Sequence, residues 1–258
     1  MDAYTGFAAV YDEFMENIPY DEVGDYLLEL LKEENTEEGI LLELGCGTGE
    51  MTMRMSRAGF DMIGLDASDE MLNTAREKLL AADDIDNDAI LYSLQDMREF
   101  ELYGTVRAAF AVTDTMNYIT EADDFIRVLT LVNNYLDPGG VFIFDLKTEH
   151  FFRDVLEDRT FADHREDATL IWENTYDEEI RMHEYAVTIF RKREDNSYRK
   201  EEEFHYQRAY SLSQVKQMAE AAGMVWVNAY RAYTKEPANE NRDERFYIIL
   251  REQGKSRK

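Results

Sequence analysis

The chain has 258 residues, of which 45% are hydrophobic, so it is long enough to bury a large core. It carries 55 acidic against 28 basic residues, a formal net charge of −27 that repels phosphate backbones and anionic lipid surfaces, so we expect no nucleic-acid or membrane partner. The single cysteine, Cys46, cannot form an internal disulfide, and the N-terminus lacks signal-peptide features; both observations predict a cytoplasmic protein.

Two helices are predicted at the N-terminus, separated by Pro19. In the first helix, aromatic residues recur at three- and four-residue spacing, at Tyr4, Phe7, Tyr11 and Phe14. The segment after Pro19 shows the same amphipathic spacing with leucine and valine. Strands and helices then alternate as far as residue 146. The predicted strands cover 39–44, 60–65, 90–94, 106–112 and 141–146, and the predicted helices cover 48–58, 69–82 and 121–136.

This alternation predicts a parallel sheet with helices on both faces. It stops after residue 146, and the strands predicted next, with no helix between them, cover 168–176, 182–193 and 198–210. A helix over 211–222 follows, and two last strands, joined by a loop alone, should pair antiparallel over 224–231 and 244–251. We therefore expect an α/β, Rossmann-like domain of residues 1–147 and 211–258, interrupted by a small antiparallel β insertion of residues 148–210.

The stretch ILLELGCGTGE, residues 40–50, begins within a predicted strand. A glycine then occurs at every second position. Glycine at the end of a strand permits a tight turn and a close approach of ligand to backbone. The spacing is G-x-G-x-G, whereas dinucleotide-binding sites have G-x-G-x-x-G, and Glu50 stands where their last glycine would be. Carboxylates at Glu43 and Glu50 would repel a pyrophosphate. They would suit an adenosine derivative with positive charge, such as S-adenosylmethionine.

Two further acids follow neighbouring strands. Asp66 ends the second strand, where a carboxylate can accept hydrogen bonds from both ribose hydroxyls. We expect its side chain to lie near solvent when the pocket is empty. Asp96 follows the third strand, where it could accept a hydrogen bond from the adenine amine while the Met97 N–H reaches a ring nitrogen. NAD also contains adenosine, so these residues do not choose between the two cofactors.

The motifs LLELGCGTGE, GLDAS, LQDM and DPGG together resemble the class I S-adenosylmethionine-dependent methyltransferases, over about residues 1–150 and the closing strands. The segments YTGFAAVYDEFM and TDTMNYI are similar to a bacterial subgroup of small-molecule methyltransferases with a β insertion. The resemblance implies a seven-stranded, mostly parallel sheet whose last strand is antiparallel. It also implies that Glu43 and the glycine turn hold the methionine part of the cofactor and that Tyr4 and Tyr11 of the N-terminal helix reach over it. The implied cofactor-binding residues are Tyr4, Tyr11, Glu43, Gly45, Cys46, Gly47, Gly49, Asp66, Ala67, Met71, Asp96, Met97 and Asp114.

Methyl transfer from a sulfonium is an in-line displacement, so the protein must chiefly align the reactants and exclude water. A base is needed only when the acceptor loses a proton. The candidates are Asp114, Tyr118 and His150, since each lies near the C-terminal end of a strand, where open α/β sheets place their ligands. Neither the four histidines nor Cys46 show metal-ligand spacing, and we expect no metal.

The resulting expectation is methyl transfer from S-adenosylmethionine to a small-molecule acceptor, by a monomer or homodimer. The insertion 148–210 follows the fifth strand directly, and we expect it to act as a lid that shapes the acceptor pocket. Two alternatives stay open: an NAD-dependent oxidoreductase, and a protein that binds S-adenosylmethionine without catalysis.

Overall fold

The structure is a computed structural model that describes residues 12, 14, 18–193 and 195–255. Its helices are α1 (Tyr20–Glu33), α2 (Glu50–Arg57), α3 (Asp69–Ala81), α4 (Ala122–Tyr135) and α5 (Leu212–Ala221). Its strands are β1 (Ile40–Leu44), β2 (Asp61–Asp66), β3 (Ile90–Leu94), β4 (Val106–Ala111), β5 (Leu136–Lys147), β6 (Thr160–His164), β7 (Ala168–Asp177), β8 (Met182–Lys192), β9 (Tyr198–Arg208), β10 (Val225–Arg231) and β11 (Arg245–Arg251).

Seven strands form one sheet in the order β10-β11-β5-β4-β1-β2-β3. The pairs from β5 to β3 are parallel, whereas β11 runs antiparallel to both of its neighbours, β5 and β10. The remaining strands form a separate antiparallel sheet in the order β6-β7-β8-β9. The predicted α/β fold, with its antiparallel closing strand and its second small sheet, is confirmed.

Apolar residues cover both faces of the seven-stranded sheet. Helices α4 and α5 pack on one face through residues such as Phe125 and Val215, and α1, α2 and α3 pack on the other, where Leu27 and Leu72 are buried. A smaller cluster lies on the four-stranded sheet and includes Phe14. The two large clusters leave the ends of the parallel strands as the place where polar side chains can meet.

Three local features differ from the sequence prediction. Strand β6 was not predicted, because its five residues are mostly exposed and form a strand only through pairing with β7. Strand β5 begins at Leu136, five residues before the predicted start. Residues 137–140, the DPGG motif between the predicted helix and strand, form an irregularity inside it, since Val106 pairs with Leu136 and Ala108 with Val141.

Asn117 fastens the small sheet to the large one. It lies in a 3₁₀ helix, Thr115–Tyr118, between β4 and α4, and its side chain is fully buried. The Nδ2 amide donates to the carbonyls of Lys147 and Arg208, at 3.2 and 2.9 Å, and Oδ1 accepts from the Lys147 N–H at 2.9 Å. These two residues end β5 and β9, so one amide joins the end of the last parallel strand of the large sheet to the end of the small sheet.

Candidate functional site

A cleft of about 340 Å³ opens at the carboxyl ends of the parallel strands β1 to β4. Open α/β sheets bind ligands at this edge. The sequence-predicted residues that line the cleft are Gly45, Gly47, Asp66, Ala67, Met71, Asp96, Met97 and Tyr118. The structure therefore brings together residues from three loops that were predicted to bind one cofactor, and beside them Tyr118, a candidate base from a fourth loop.

The glycine turn shows two uses of a missing side chain. Gly45 has φ of 66°, and a Cβ there would come within 2.5 Å of the Thr115 side chain. Gly47 has φ of 53°, but a Cβ there would meet no described atom within 4 Å, because it faces the cleft. Gly45 is thus required by packing, while the bare backbone at Gly47 forms a cradle that a side chain would fill.

Asp66 connects the glycine turn to the start of α3. Its Oδ2 accepts the Gly47 N–H and its Oδ1 accepts the Ser68 N–H, both at 2.8 Å. Burial raises the pKa of this carboxyl, while the two backbone bonds act in the opposite direction. Asp66 is only partly buried and lines the open cleft, so its side chain lies near solvent, but its carboxylate is also a structural part of the turn.

Asp96 also lines the cleft, but its carboxylate already has a cationic partner. Arg98 donates to Asp96 Oδ1 through its backbone N–H at 2.8 Å and through Nε at 2.9 Å. These bonds hold the pKa of Asp96 below its usual value. The sequence analysis overlooked Arg98, although a cation two residues after an acid is a visible signal.

Glu43, Cys46 and Gly49 are not among the described residues that line the cleft. Glu43 is 3% exposed, and its carboxyl accepts a hydrogen bond from the Thr52 hydroxyl in α2. Burial raises its pKa from an ordinary 4.5 to about 8, so the group is protonated at neutral pH. The side chain predicted to hold the methionine part of a cofactor is therefore turned towards α2.

Glu50 is compensated as well. It forms an ion pair with Lys78 of α3, and Lys78 also lies 3.0 Å from Asp12. Asp12 in turn accepts a hydrogen bond from Thr48 of the glycine turn at 2.6 Å. Glu50 was predicted to repel a pyrophosphate at the start of α2, but its ion pair with Lys78 compensates that negative charge.

The three candidate bases do not converge. Tyr118 lines the cleft, with its ring edge-on to His205 of β9 at 6.1 Å between centroids. His150 lies next to the π-helical segment Phe151–Leu156, bonded through Nδ1 to Asp154 at 2.8 Å, and is not among the described lining residues. Asp114 is partly buried beside the cleft in contacts of its own.

Asp114 belongs to a buried ion cluster that the sequence analysis missed. Its carboxylate pairs with Lys147 at 2.6 Å and with Arg245, which also pairs with Asp145. Burial alone would raise the pKa of Asp114, but the two cations hold it below its usual value. Asp114 is therefore an ionised anchor between two basic side chains, and its neighbours Thr113 and Thr115 line the cleft.

Tyr4 and Tyr11, predicted to reach over the cofactor, lie outside the described residues. The described residue Phe14 is 4% exposed and packs into the small core of the four-stranded sheet. Across the described part of the chain, no group of three acidic, histidine or cysteine side chains has the arrangement of a metal site. Nor does any described helix combine the length and apolarity needed to cross a bilayer.

The chain is similar in sequence to known proteins. Residues 41–140 match the family described as methyltransferase domain. The putative methyltransferase YqeM of Bacillus subtilis (strain 168) is 33% identical to this chain over 85% of each chain.

Two solved structures have the same fold. An S-adenosylmethionine-dependent methyltransferase from Clostridium acetobutylicum ATCC 824 covers 98% of this chain and 100% of its own, with TM-score 0.83 and 23% identity. CalS10 of Micromonospora echinaspora, an amino pentose methyltransferase solved with bound S-adenosylmethionine, covers 98% and 99%, with TM-score 0.70 and 16% identity.

Proposed function

The chain belongs to the class I S-adenosylmethionine-dependent methyltransferases, and we propose that its cleft binds this cofactor for methyl transfer to a small-molecule acceptor. The observation that carries the proposal is the open backbone at Gly47 facing the anchored carboxylate of Asp66. A ligand with a ribose and a cationic tail suits a bare turn beside a carboxylate.

The residues present fit the cofactor. Asp66 has lone pairs left on both oxygens for the ribose hydroxyls, because each oxygen accepts one backbone N–H. Ala67 and Met71 give an apolar wall for the adenine, and Asp96 and Met97 offer polar atoms at its edge. We propose these five as binding residues, together with the glycine turn.

The cofactor supplies a methyl group already activated on a sulfonium, so its departure needs no acid from the protein. The chain's own residues bind, orient and exclude water. Tyr118 presents a phenol ring at the cleft and contacts the four-stranded sheet through His205. We propose that it orients the acceptor, and that the insertion 148–210 closes over the acceptor side of the cleft.

Calorimetry with S-adenosylmethionine, S-adenosylhomocysteine and NAD tests the cofactor assignment. We expect both sulfur compounds to bind and NAD not to bind; firm binding of NAD alone would overturn the assignment. Incubation with methyl-labelled cofactor and fractionated metabolites then tests turnover. Label in a small-molecule fraction supports the proposal, whereas cofactor binding with no label in any fraction would favour a non-catalytic protein.

A further inference from the structure

Tyr118 lies at the end of the cleft where the acceptor has to meet the methyl group. In the sheet order β4-β1-β2-β3, Asp66 and Asp96 follow β2 and β3, whereas Tyr118 follows β4. In the proposed binding mode the adenosine lies on the β2 and β3 side, so the methionine part and its methyl group lie towards β1 and β4. Since a misplacement of 1 Å at a reacting centre can cost about a hundredfold in rate, the side chains that hold Tyr118 are important.

A histidine and a glutamate of β9 lie behind the Tyr118 ring. His205 is 4% exposed, and its ring lies edge-on to that of Tyr118 with 6.1 Å between the centroids. Glu203 is 7% exposed, and its Oε2 lies 3.3 Å from His205 Nε2. The two residues alternate with Phe204, so they share the inner face of the small sheet. We call these two side chains the Glu203–His205 pair.

Stability does not explain why this pair is buried. Removing a carboxylate from water is costly, and a buried ion pair is often no more stabilising than apolar side chains in its place. The cross-strand partner of Glu203 on β8 is Val187, a buried apolar residue, so an apolar side chain would suit the position of Glu203 as well. The contact with Tyr118 offers another reason for the polar pair.

The start of the segment that carries Tyr118 is also attached to the small sheet. Lys147 Nζ lies 2.6 Å from the Asp114 carboxylate and donates to the Tyr185 hydroxyl at 3.2 Å. Tyr185 of β8 is the cross-strand partner of His205 on β9. Neighbouring positions of one sheet therefore contact both ends of the segment from Asp114 to Tyr118, directly or through Lys147.

We propose that the Glu203–His205 pair positions the Tyr118 ring for methyl transfer. Glu203 fixes the orientation of the imidazole, and the imidazole fixes the phenol ring beside the acceptor. Glu203 and His205 are positioning residues, because they act through Tyr118. The inference rests on the proposed function and extends it, since it makes the small sheet a determinant of the reaction rate as well as a cover for the acceptor.

The first test observes Tyr118 directly and needs no acceptor. The full chain is labelled with meta-fluorotyrosine, and the Tyr118 fluorine resonance is identified by its loss in Tyr118→Phe, with and without S-adenosylhomocysteine. We expect Glu203→Gln and His205→Leu each to shift or broaden this resonance. Glu203→Gln keeps the size of the side chain, so it remains informative if His205→Leu does not fold. An unchanged resonance in Glu203→Gln would overturn the inference.

Glu201→Gln is the matched control. Glu201 lies two residues before Glu203 on the same face of β9, and its side chain is 15% exposed and pairs with Arg191 at 2.6 Å. Its cross-strand partner is Ile189, one step further from Tyr185 and His205 than Val187 is. This variant should leave the Tyr118 resonance unchanged. A shift equal to that in Glu203→Gln would overturn the inference, because loss of any carboxylate on β9 would then be sufficient.

The second test separates rate from binding. At saturating methyl-labelled cofactor, transfer of label is measured against the amount of the metabolite fraction that wild type labels. We expect Glu203→Gln to lower the maximum rate about tenfold through lost alignment, with the half-saturating amount of the fraction and the affinity for S-adenosylhomocysteine unchanged. Weaker cofactor binding at an unchanged maximum rate would overturn the inference. If wild type labels no fraction, the proposed methyl transfer fails, and the fluorine resonance still decides whether the pair positions Tyr118.

Discussion

The cofactor edge of the large sheet and the inner face of the small sheet treat buried polar groups in opposite ways. At the cofactor edge, both oxygens of Asp66 accept backbone N–H groups. On the inner face, His183 is fully buried and, within the described part of the chain, neither ring nitrogen has a hydrogen-bond partner. At the cofactor edge the chain itself supplies the hydrogen-bond partners. On the inner face of the small sheet, the ring nitrogens of His183 are left for hydrogen bonds to another molecule.

The polar groups without hydrogen-bond partners on this face lie in one row across the small sheet. Tyr176, His183 and Gln207 lie opposite one another on β7, β8 and β9. The Tyr176 hydroxyl and Gln207 Oε1 also have no hydrogen-bond partner within the described residues. A buried polar group without a partner costs about 1–3 kcal/mol, and native proteins contain few of them. The comparison indicates that the site for an invariant ligand, the cofactor, can have its polar groups already hydrogen-bonded. The inner face of the small sheet instead keeps unpaired polar groups, which lower the stability of the protein.

The largest effect is expected at the ion cluster of Asp114, Asp145, Lys147 and Arg245 beside the cofactor cleft. Arg245→Met leaves the buried carboxylates of Asp114 and Asp145 without their shared cation, and we expect a loss of about 3–5 kcal/mol in the free energy of unfolding, measured by urea denaturation. Arg57→Met removes an exposed pair with Asp84 and should change the free energy of unfolding far less. Equal losses in the two variants would show that the ion cluster is not a structural element.

The next effect concerns pH. The pKa of Glu43 rises from 4.5 to about 8 on folding because the group is buried. Between these values the folded state binds the proton and the unfolded state does not, so the free energy of unfolding falls as pH rises, by at most about 1.4 kcal/mol per pH unit. Glu43→Gln keeps an acceptor for Thr52 and should remove this slope.

The free energy of unfolding is measured by denaturation at pH 5, 6, 7 and 8, and the slope is that of the difference between wild type and Glu43→Gln. The difference is used because other buried acids titrate in both proteins. Glu38→Gln, at an exposed position, is the control and should leave the slope unchanged. A constant difference across this range would contradict the assignment of the raised pKa to Glu43.

Asp66→Ala tests whether the organised edge is also the binding edge. Loss of a hydrogen bond to a charged group should weaken S-adenosylhomocysteine binding about ten- to a hundredfold, measured by calorimetry. The melting temperature should fall too, because the Gly47 and Ser68 N–H groups lose their acceptor. Asp61→Ala, at the exposed start of the same strand, should change neither quantity. Unchanged affinity in Asp66→Ala would remove this residue from the site.

The smallest effect has the opposite sign. Gln207→Met replaces a buried amide by an apolar side chain of similar size, and we expect the free energy of unfolding to rise by about 1 kcal/mol, because an unsatisfied oxygen is removed. Asn117→Leu is the contrasting variant, since that buried amide is bonded at both ends and its loss should destabilise the protein. Destabilisation in both variants would mean that the inner face is satisfied in solution.

The cofactor edge could be predicted because its parts are local in sequence. The glycine turn, Asp66 and Asp96 each follow a strand directly, and parallel strands bring their carboxyl ends to one edge. The closing antiparallel strand was visible for the same reason, since only a loop separates β10 from β11. In contrast, the partner of Glu50 lies 28 residues away and that of Asp145 lies 100 residues away. Periodicity carries no information about such pairs.

The insertion was predicted less completely. Strand β6 has no alternating pattern of its own and depends on β7 for its hydrogen bonds. Trp172 and Tyr185 both pack beside the small core, and the Tyr185 hydroxyl also accepts a hydrogen bond from Lys147 at 3.2 Å, while Tyr206 is 47% exposed. Side-chain orientation relative to a second sheet cannot be read from the alternation of one strand.

The amide of Asn117 has a consequence for how such proteins diversify. Because one side chain secures both the departure of the chain after Lys147 and its return at Arg208, the intervening segment can change in length and composition without moving either anchor. We expect that exchanging this segment between relatives, with the asparagine retained, would transfer the preference for an acceptor and leave the cofactor site unchanged.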